Sequence, residues 1–254
     1  MKIVPLCSSS AANSTFVGSH NSGVLIDAGC SYKALRNHLS ENGIELSAVK
    51  AVLITHEHCD HVKGLFQLTK HNDIPVFSSR GTCDALLENK LVYNPDMLFG
   101  IHQINQIGLD CEIKEFNTPH DSAQSVGFTI TCNSGTRFAY MTDLGEITQE
   151  VEQATLGCGE VLIESNYDSD LLWSNNNYPY QTKQRIDSRR GHLSNTDSAD
   201  YIMKLIQNGA TKITLGHLSP QNNTPQIAYS NTVNRLSAAG IHINKDYTLK
   251  IART

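Results

Sequence analysis

The sequence predicts an α/β protein built of two β-sheets packed together, with helices on the outside. Three observations carry that expectation. Strand-like runs recur along the 254-residue chain, with helix-like stretches between several of them. The N-terminal half reads as meandering short strands. Ionisable residues repeatedly close apolar strands, the way α/β enzymes assemble a site along the rim of a sheet.

Taken in order, the expected strands are residues 2–6, 23–27, 51–55, 74–78, 111–116, 125–132, 136–142, 159–164, 212–216 and 247–251. The run Ala51-Val52-Leu53-Ile54-Thr55 is apolar and β-branched, as a buried strand should be. Residues 31–42 carry apolar or partly apolar side chains at 32, 35 and 39 and are expected to be helical. Residues 197–207 read as a helix capped by Asn195 or Thr196 and stopped by Asn208-Gly209. Residues 224–239 open on Thr-Pro, a favourable helix start. Residues 165–195 differ: they are dense in Asn, Tyr, Ser and Arg and hold Trp173, the one tryptophan. Such a stretch is either functional or a solvated surface excursion. With no internal repeat and no long linker, residues 1–254 are expected to form a single domain.

The formal net charge of −5 argues against indiscriminate coating of nucleic acid but leaves room for a local basic groove. The N-terminus is too poor in apolar residues for a signal peptide, and no run approaches a membrane span. Seven cysteines, none in a C-x-x-C pair, read as reduced thiols of a cytoplasmic protein.

The chemistry concentrates at residues 55–61, Thr-His-Glu-His-Cys-Asp-His. An ordinary core has no use for so much imidazole and carboxylate at one point. The pattern is not the His-Glu-x-x-His of a zincin helix. His56 and His58 are two apart, which suits an extended chain with alternate side chains on one face. Asp60 and His61 are adjacent and diverge, which suggests two metal ions rather than one. Cys59 lies among them, but its neighbours already supply a full ligand set. Four further residues stand at expected strand ends: Asp27, His120, Asp143 and His217. A lone histidine there would be an ordinary hydrogen-bonded residue; four such residues beside the cluster make a constellation. His20, His38, His71, His102 and His242 match no motif.

The order Asp27, His56-x-His58-x-Asp60-His61, His120, Asp143, His217 resembles the five motifs of the metallo-β-lactamase superfamily and spans most of the chain. The resemblance implies a four-layer αβ/βα sandwich of two mixed sheets flanked by helices. It implies that His56, His58 and His120 hold one divalent ion (zinc, manganese or iron). Asp60, His61 and His217 would hold a second, and Asp143 would bridge them. Asp27 would orient the cluster through hydrogen bonds. The loop Cys7-Ser8-Ser9-Ser10-Ala11-Ala12-Asn13-Ser14 and the stretch from Glu164-Ser165-Asn166-Tyr167-Asp168 to Arg190-Gly191-His192-Leu193-Ser194-Asn195 are similar to those of the YycJ/WalJ/VicX branch. Ala11 and Ala12 stand where glycine-like residues are expected, and Tyr167 where histidine is expected. That branch is regarded as cytoplasmic nucleases with 5′→3′ exonuclease activity on DNA.

A paired-metal site acidifies a bridging water toward neutrality and stabilises charge on a phosphoryl or carbonyl oxygen. A phosphodiester also needs its leaving oxygen protonated. His192 with Glu164 resembles the histidine–glutamate pair assigned that role in the ribonuclease Z group; the plainer reading of His192 is a loop residue before a helix. Lys183, Arg185, Arg189 and Arg190 fit a phosphate backbone, and Trp173, Tyr178 and Tyr180 suit stacking on unpaired bases. The alternative is a solvated charged face with core aromatics. Ser8, Ser9, Ser10 and Asn13 are candidates for a terminal phosphate. The expected function is therefore a two-metal nuclease, with DNA favoured over RNA. The alternative is a small-molecule hydrolase acting on thioesters, lactones or cyclic phosphates.

Overall fold

The computed structural model describes residues 1–253. It contains two mixed six-stranded sheets flanked by helices. The chain divides into two compact units, the first Met1–Glu115 with Ser122–Val126 and Arg253, the second Phe116–Asp121 with Gly127–Ala252.

The first sheet has the order β1 (Lys2–Ser9), β2 (Ala12–Gly18), β3 (Gly23–Ile26), β4 (Val49–Ile54), β5 (Val76–Ser78), β6 (Leu98–Gly100). The first three strands form an antiparallel meander, and β3 to β6 run parallel. Its helices are α1 (Tyr32–Glu41), α2 (Cys59–Val62), α3 (Leu65–His71) and α4 (Arg80–Glu88). Val52 and Ile54, two apart on β4, join Leu25, Leu65 and Leu68 in one core. The alternate residues Ala51 and Leu53 are buried as well. Burial on both faces of a parallel strand explains why β4 reads as a continuous apolar run.

The second sheet repeats the scheme. Its strands are β7 (Cys111–Asn117), β8 (Val126–Cys132), β9 (Arg137–Met141), β10 (Glu160–Glu164), β11 (Lys212–Gly216) and β12 (Thr248–Ile251), again neighbours in chain order. β8 and β9 are antiparallel, and β9 to β12 are parallel. Its helices are α5 (Gln149–Thr155), α6 (Ser169–Ser174), α7 (Tyr180–Ile186), α8 (Asn195–Gln207) and α9 (Pro225–Ala238). Ala139, Met141, Val161, Ile163, Ile213 and Leu215 share a core with Ile202 and Leu205 of α8.

Several expectations needed correction. The serine-rich stretch is not an open loop. β1 and β2 form a hairpin pairing Ser9 with Ala12 and Ser8 with Asn13, so only Ser10 and Ala11 are exposed at its tip. β2 escaped notice because Asn13-Ser14-Thr15 is polar yet fully buried; β6 is only three residues long. The cap of α8 is Ser194, whose hydroxyl accepts from the Asp197 amide, one residue ahead of the expected candidates. Residues 165–195, for which no element was expected, contain two short helices.

Candidate metal centre

In the first unit the turn after β4 delivers the histidine cluster. His56 follows the strand, and His61 sits on the single turn of α2, whose N-cap is His58. The ring centroids of His56 and His58 are 4.6 Å apart, and those of His56 and His61 4.1 Å. Asp60 Oδ2 lies 3.2 Å from His61 Nε2. Behind them Asp27 is fully buried. Its Oδ1 accepts from the Thr55 amide at 2.8 Å, and its Oδ2 lies 2.8 Å from His61 Nδ1. Burial pushes the Asp27 carboxyl above the usual carboxylate range, opposed by His61 and the Thr55 donors. With the His61 proton held at Nδ1, Nε2 carries the lone pair, which is how a second carboxylate orients a metal-binding imidazole.

The turn after β3 stitches this half together. The Ala28 amide donates to the His61 carbonyl and the Gly29 amide to the Asn13 carbonyl, both at 2.8 Å. A Cβ on Gly29 would lie 1.6 Å from the Asp60 carbonyl oxygen, so any other residue there must push backbone aside. Glu57, between the two histidines, accepts from the Ala123 amide and ties down residues 122–126.

In the second unit three imidazoles converge on one carboxylate. Asp143 Oδ1 is 3.3 Å from His217 Nε2, 3.6 Å from His120 Nε2 and 3.8 Å from His192 Nδ1. Nδ1 of His120 meets the Gly191 carbonyl at 3.1 Å, which leaves its Nε2 as the donor atom. Burial lowers the His120 pKa, outweighing the Asp143 carboxylate, and favours the neutral, ligating form. Glu164 is fully buried. One oxygen accepts from the Asp143 amide; the other accepts from the Leu193 amide and lies 3.1 Å from His192 Nδ1. Asp143, Glu164, His192 and His217 bring ligand-type atoms within 4.8 Å of one another. Glu164 is already spent on amide and imidazole donors, so Asp143 and His217 fit a metal better. Imidazole nitrogens oriented from behind, beside carboxylates, are a donor set suited to divalent zinc, manganese or iron.

Asp27, Asp143 and His217 have left-handed backbones, with φ of 60°, 56° and 54°. Such strain costs on the order of 1–3 kcal/mol per residue and gathers where a side chain must be aimed.

The expected substrate residues divide. Ser8, Ser9 and Asn13 are buried and Ser10 is exposed. The Asn13 amide lies 3.1 Å from both Asp60 Oδ2 and His61 Nε2, and 2.9 Å from the Ser9 carbonyl. It therefore positions candidate ligands rather than reaching for a phosphate. Lys183 is buried too, its ammonium donating to the Trp173 carbonyl at 2.8 Å. It closes the C-terminal end of α6 rather than offering a surface charge. Arg185 pairs with Asp121, and Arg190 donates twice to the His120 carbonyl at 3.2 and 2.8 Å. Arg189, with its side chain 87% exposed, stands at the surface with Nε 3.5 Å from Glu146 Oε2. Tyr167, standing where histidine was expected, is buried with its hydroxyl on Asp187. Thr55 and Asp121 were missed as participants; their one signal was adjacency to His56 and His120.

The fold and donor set define a metallo-β-lactamase-type hydrolase. Residues 23–217 match the family model for the β-lactamase superfamily domain, and the chain belongs to that superfamily. It is 31% identical to the exodeoxyribonuclease WalJ of Streptococcus pneumoniae (strain D39), over 95% of this chain and 90% of the relative. It is 29% identical to the exodeoxyribonuclease YycJ of Bacillus anthracis, over 96% and 92% of the two chains. Among solved structures, the metallo-β-lactamase fold protein YhfI of Bacillus subtilis aligns with a TM-score of 0.69 at 16% identity, covering 99% of this chain and 95% of that one. Zn(2+)-bound PqqB of Methylobacterium extorquens aligns with the same TM-score at 17% identity, covering 100% and 98%. These last two speak to the fold alone.

Proposed function

We propose that this hydrolase is a dinuclear-metal phosphodiesterase that degrades DNA as a 5′→3′ exonuclease in the cytoplasm, its two units acting as one domain. The ligand assignment we infer is His56, His58 and His120 for one ion, Asp60, His61 and His217 for the other, and Asp143 shared. The observation that carries the reading is the His192 imidazole, backed by the buried Glu164 and flanked by the rings of His217 and His120 at 5.3 and 5.2 Å. The similarity to two exodeoxyribonucleases over nearly the full chain supports the substrate class.

Bound divalent ions supply Lewis acidity, acidifying water and neutralising charge on a phosphoryl oxygen. The chain's own groups do the rest. Glu164 holds the His192 proton at Nδ1 and stabilises the imidazolium. In that form Nε2–H donates a proton to the departing oxygen, a step a thioester or lactone needs less. The second half of the site keeps Asp143 and His192 in fixed relation, because one carboxylate grips both. Arg189, held only by an exposed ion pair to Glu146, can exchange that partner for a phosphate.

End-labelled single- and double-stranded DNA and RNA, each incubated with zinc, manganese or iron, test the reading. Stepwise release of nucleotides from the 5′ end of DNA is the expected result. Hydrolysis of thioesters, lactones or cyclic phosphates with all four polymers left intact would overturn it.

A further inference from the structure

Trp173 and Tyr180 play no part in the site just described, yet they are among the most exposed large side chains of the molecule. Trp173 is 40% exposed and Tyr180 66%, whereas Tyr140, Tyr167, Tyr201 and Tyr247 are buried. The two rings lie side by side, centroids 5.8 Å apart and planes tilted by 50°. Their backbone is built to hold still. Trp173 sits in the last turn of α6 with its carbonyl capped by the buried ammonium of Lys183, and Tyr180 is the first residue of α7. The same segment also forms an open cleft of about 730 Å³ lined by Leu171, Ser174, Asn175, Asn177, Tyr178 and Gln221. Amides and hydroxyls line it, and no carboxylate does among the described residues, in a chain of net charge −5.

We propose that Trp173 and Tyr180 form a stacking platform for an unpaired base of a nucleic-acid strand, with the amide-lined cleft of the same segment open to polar base edges of that strand. Three features select that occupant. Exposed aromatic faces stack on any base, because every base has a π-face. Asn and Gln amides offer the donors and acceptors that base edges require. The third feature is continuity with the reactive end of the unit. α7 runs from Tyr180 toward Arg185, which is paired with Asp121, and the His192 amide donates to the Ile186 carbonyl at 2.9 Å. Five helical residues advance roughly 7.5 Å, about two stacked nucleotides. One short helix therefore joins the platform to the segment that carries His192. A blunt duplex keeps its bases paired and cannot use the platform, so the preferred substrate carries a single-stranded segment. This inference rests on the nucleic-acid reading above and narrows its substrate class.

Because Trp173 is the one tryptophan, its emission reports the platform directly. The full chain is titrated with short phosphorothioate-linked oligothymidylate, with oligouridylate, and with a blunt duplex of mixed sequence. Saturable quenching by the single strands and none by the duplex is expected; the two single-strand arms distinguish DNA from RNA. Tyr180→Ala should weaken single-strand binding roughly 5- to 150-fold, the range for losing one base–aromatic stack. Tyr180→Phe should restore it. Circular dichroism checks that both variants fold. If the wild-type chain degrades DNA while Trp173 emission stays constant and Tyr180→Ala binds as well as wild type, the platform is overturned and the nuclease reading stands. If the chain neither binds nor degrades any oligonucleotide, both fall.

Discussion

The two units are built to one plan and use it for opposite ends. In each, the third strand of the sheet closes on an aspartate in the left-handed conformation, Asp27 after β3 and Asp143 after β9. In each, the parallel fourth strand ends beside that aspartate, at Thr55 in one and Glu164 in the other. Thr55 is a donor. Its amide and hydroxyl hold the Asp27 carboxylate from behind, so that it supports His61. Glu164 is an acceptor. It takes the Asp143 amide instead, so the Asp143 carboxylate remains turned toward three imidazoles. The hydrogen-bonding sense of the neighbour on the next strand thus separates a carboxylate tied down from behind from one left facing imidazoles.

That contrast is open to attack. The largest effect is expected in the second unit: His192→Ala should lower turnover on DNA by about 10²- to 10⁴-fold while bound metal, measured by elemental analysis, is unchanged. A variant that loses metal would make His192 a ligand and blur the division. In the first unit, Asp27→Asn should loosen the hold on His61 and weaken metal binding about 10- to 100-fold in chelator competition. Normal affinity in that variant would remove Asp27's supporting role. Gly29→Ala should cost about 1–3 kcal/mol in urea denaturation, because backbone rather than a yielding side chain meets the added methyl. The smallest effect separates two arginines. Arg189→Ala should flatten the salt dependence of DNA binding by about one unit of slope without altering turnover at saturation. Arg190→Ala should slow turnover, because it lets go of the His120 carbonyl. Identical behaviour of the two would leave only a generic basic surface.

Much of this could be read from the residues. The strand ends at Asp27, Asp143 and His217 were visible because apolar β-branched runs stop abruptly at an ionisable side chain, and the Thr-His-Glu-His-Cys-Asp-His run announces its chemistry by density. What stayed hidden depends on contacts between residues distant in the chain. Asn13 lies 47 residues from Asp60, and nothing in a serine-rich run says that its amide will be buried against a carboxylate. Lys183 looked like one of four equal positive charges until α6 placed a carbonyl in its path. The repeat of the two units was invisible as well. It resides in strand order and in a shared backbone twist at the two aspartates, while the side chains around them have diverged to Thr and Glu.

Glu164 has a practical consequence for anyone wishing to reprogram this enzyme. The backbone of a candidate ligand and the ring of the candidate proton donor hang on one side chain. Altering it changes both functions together, so an inactive variant made there would be uninformative and a poor trap for bound substrate. Substitution at His192 leaves the carboxylate's grip on the Asp143 and Leu193 amides intact. It is the place to uncouple capture from cleavage and obtain a chain that holds its substrate for structural work.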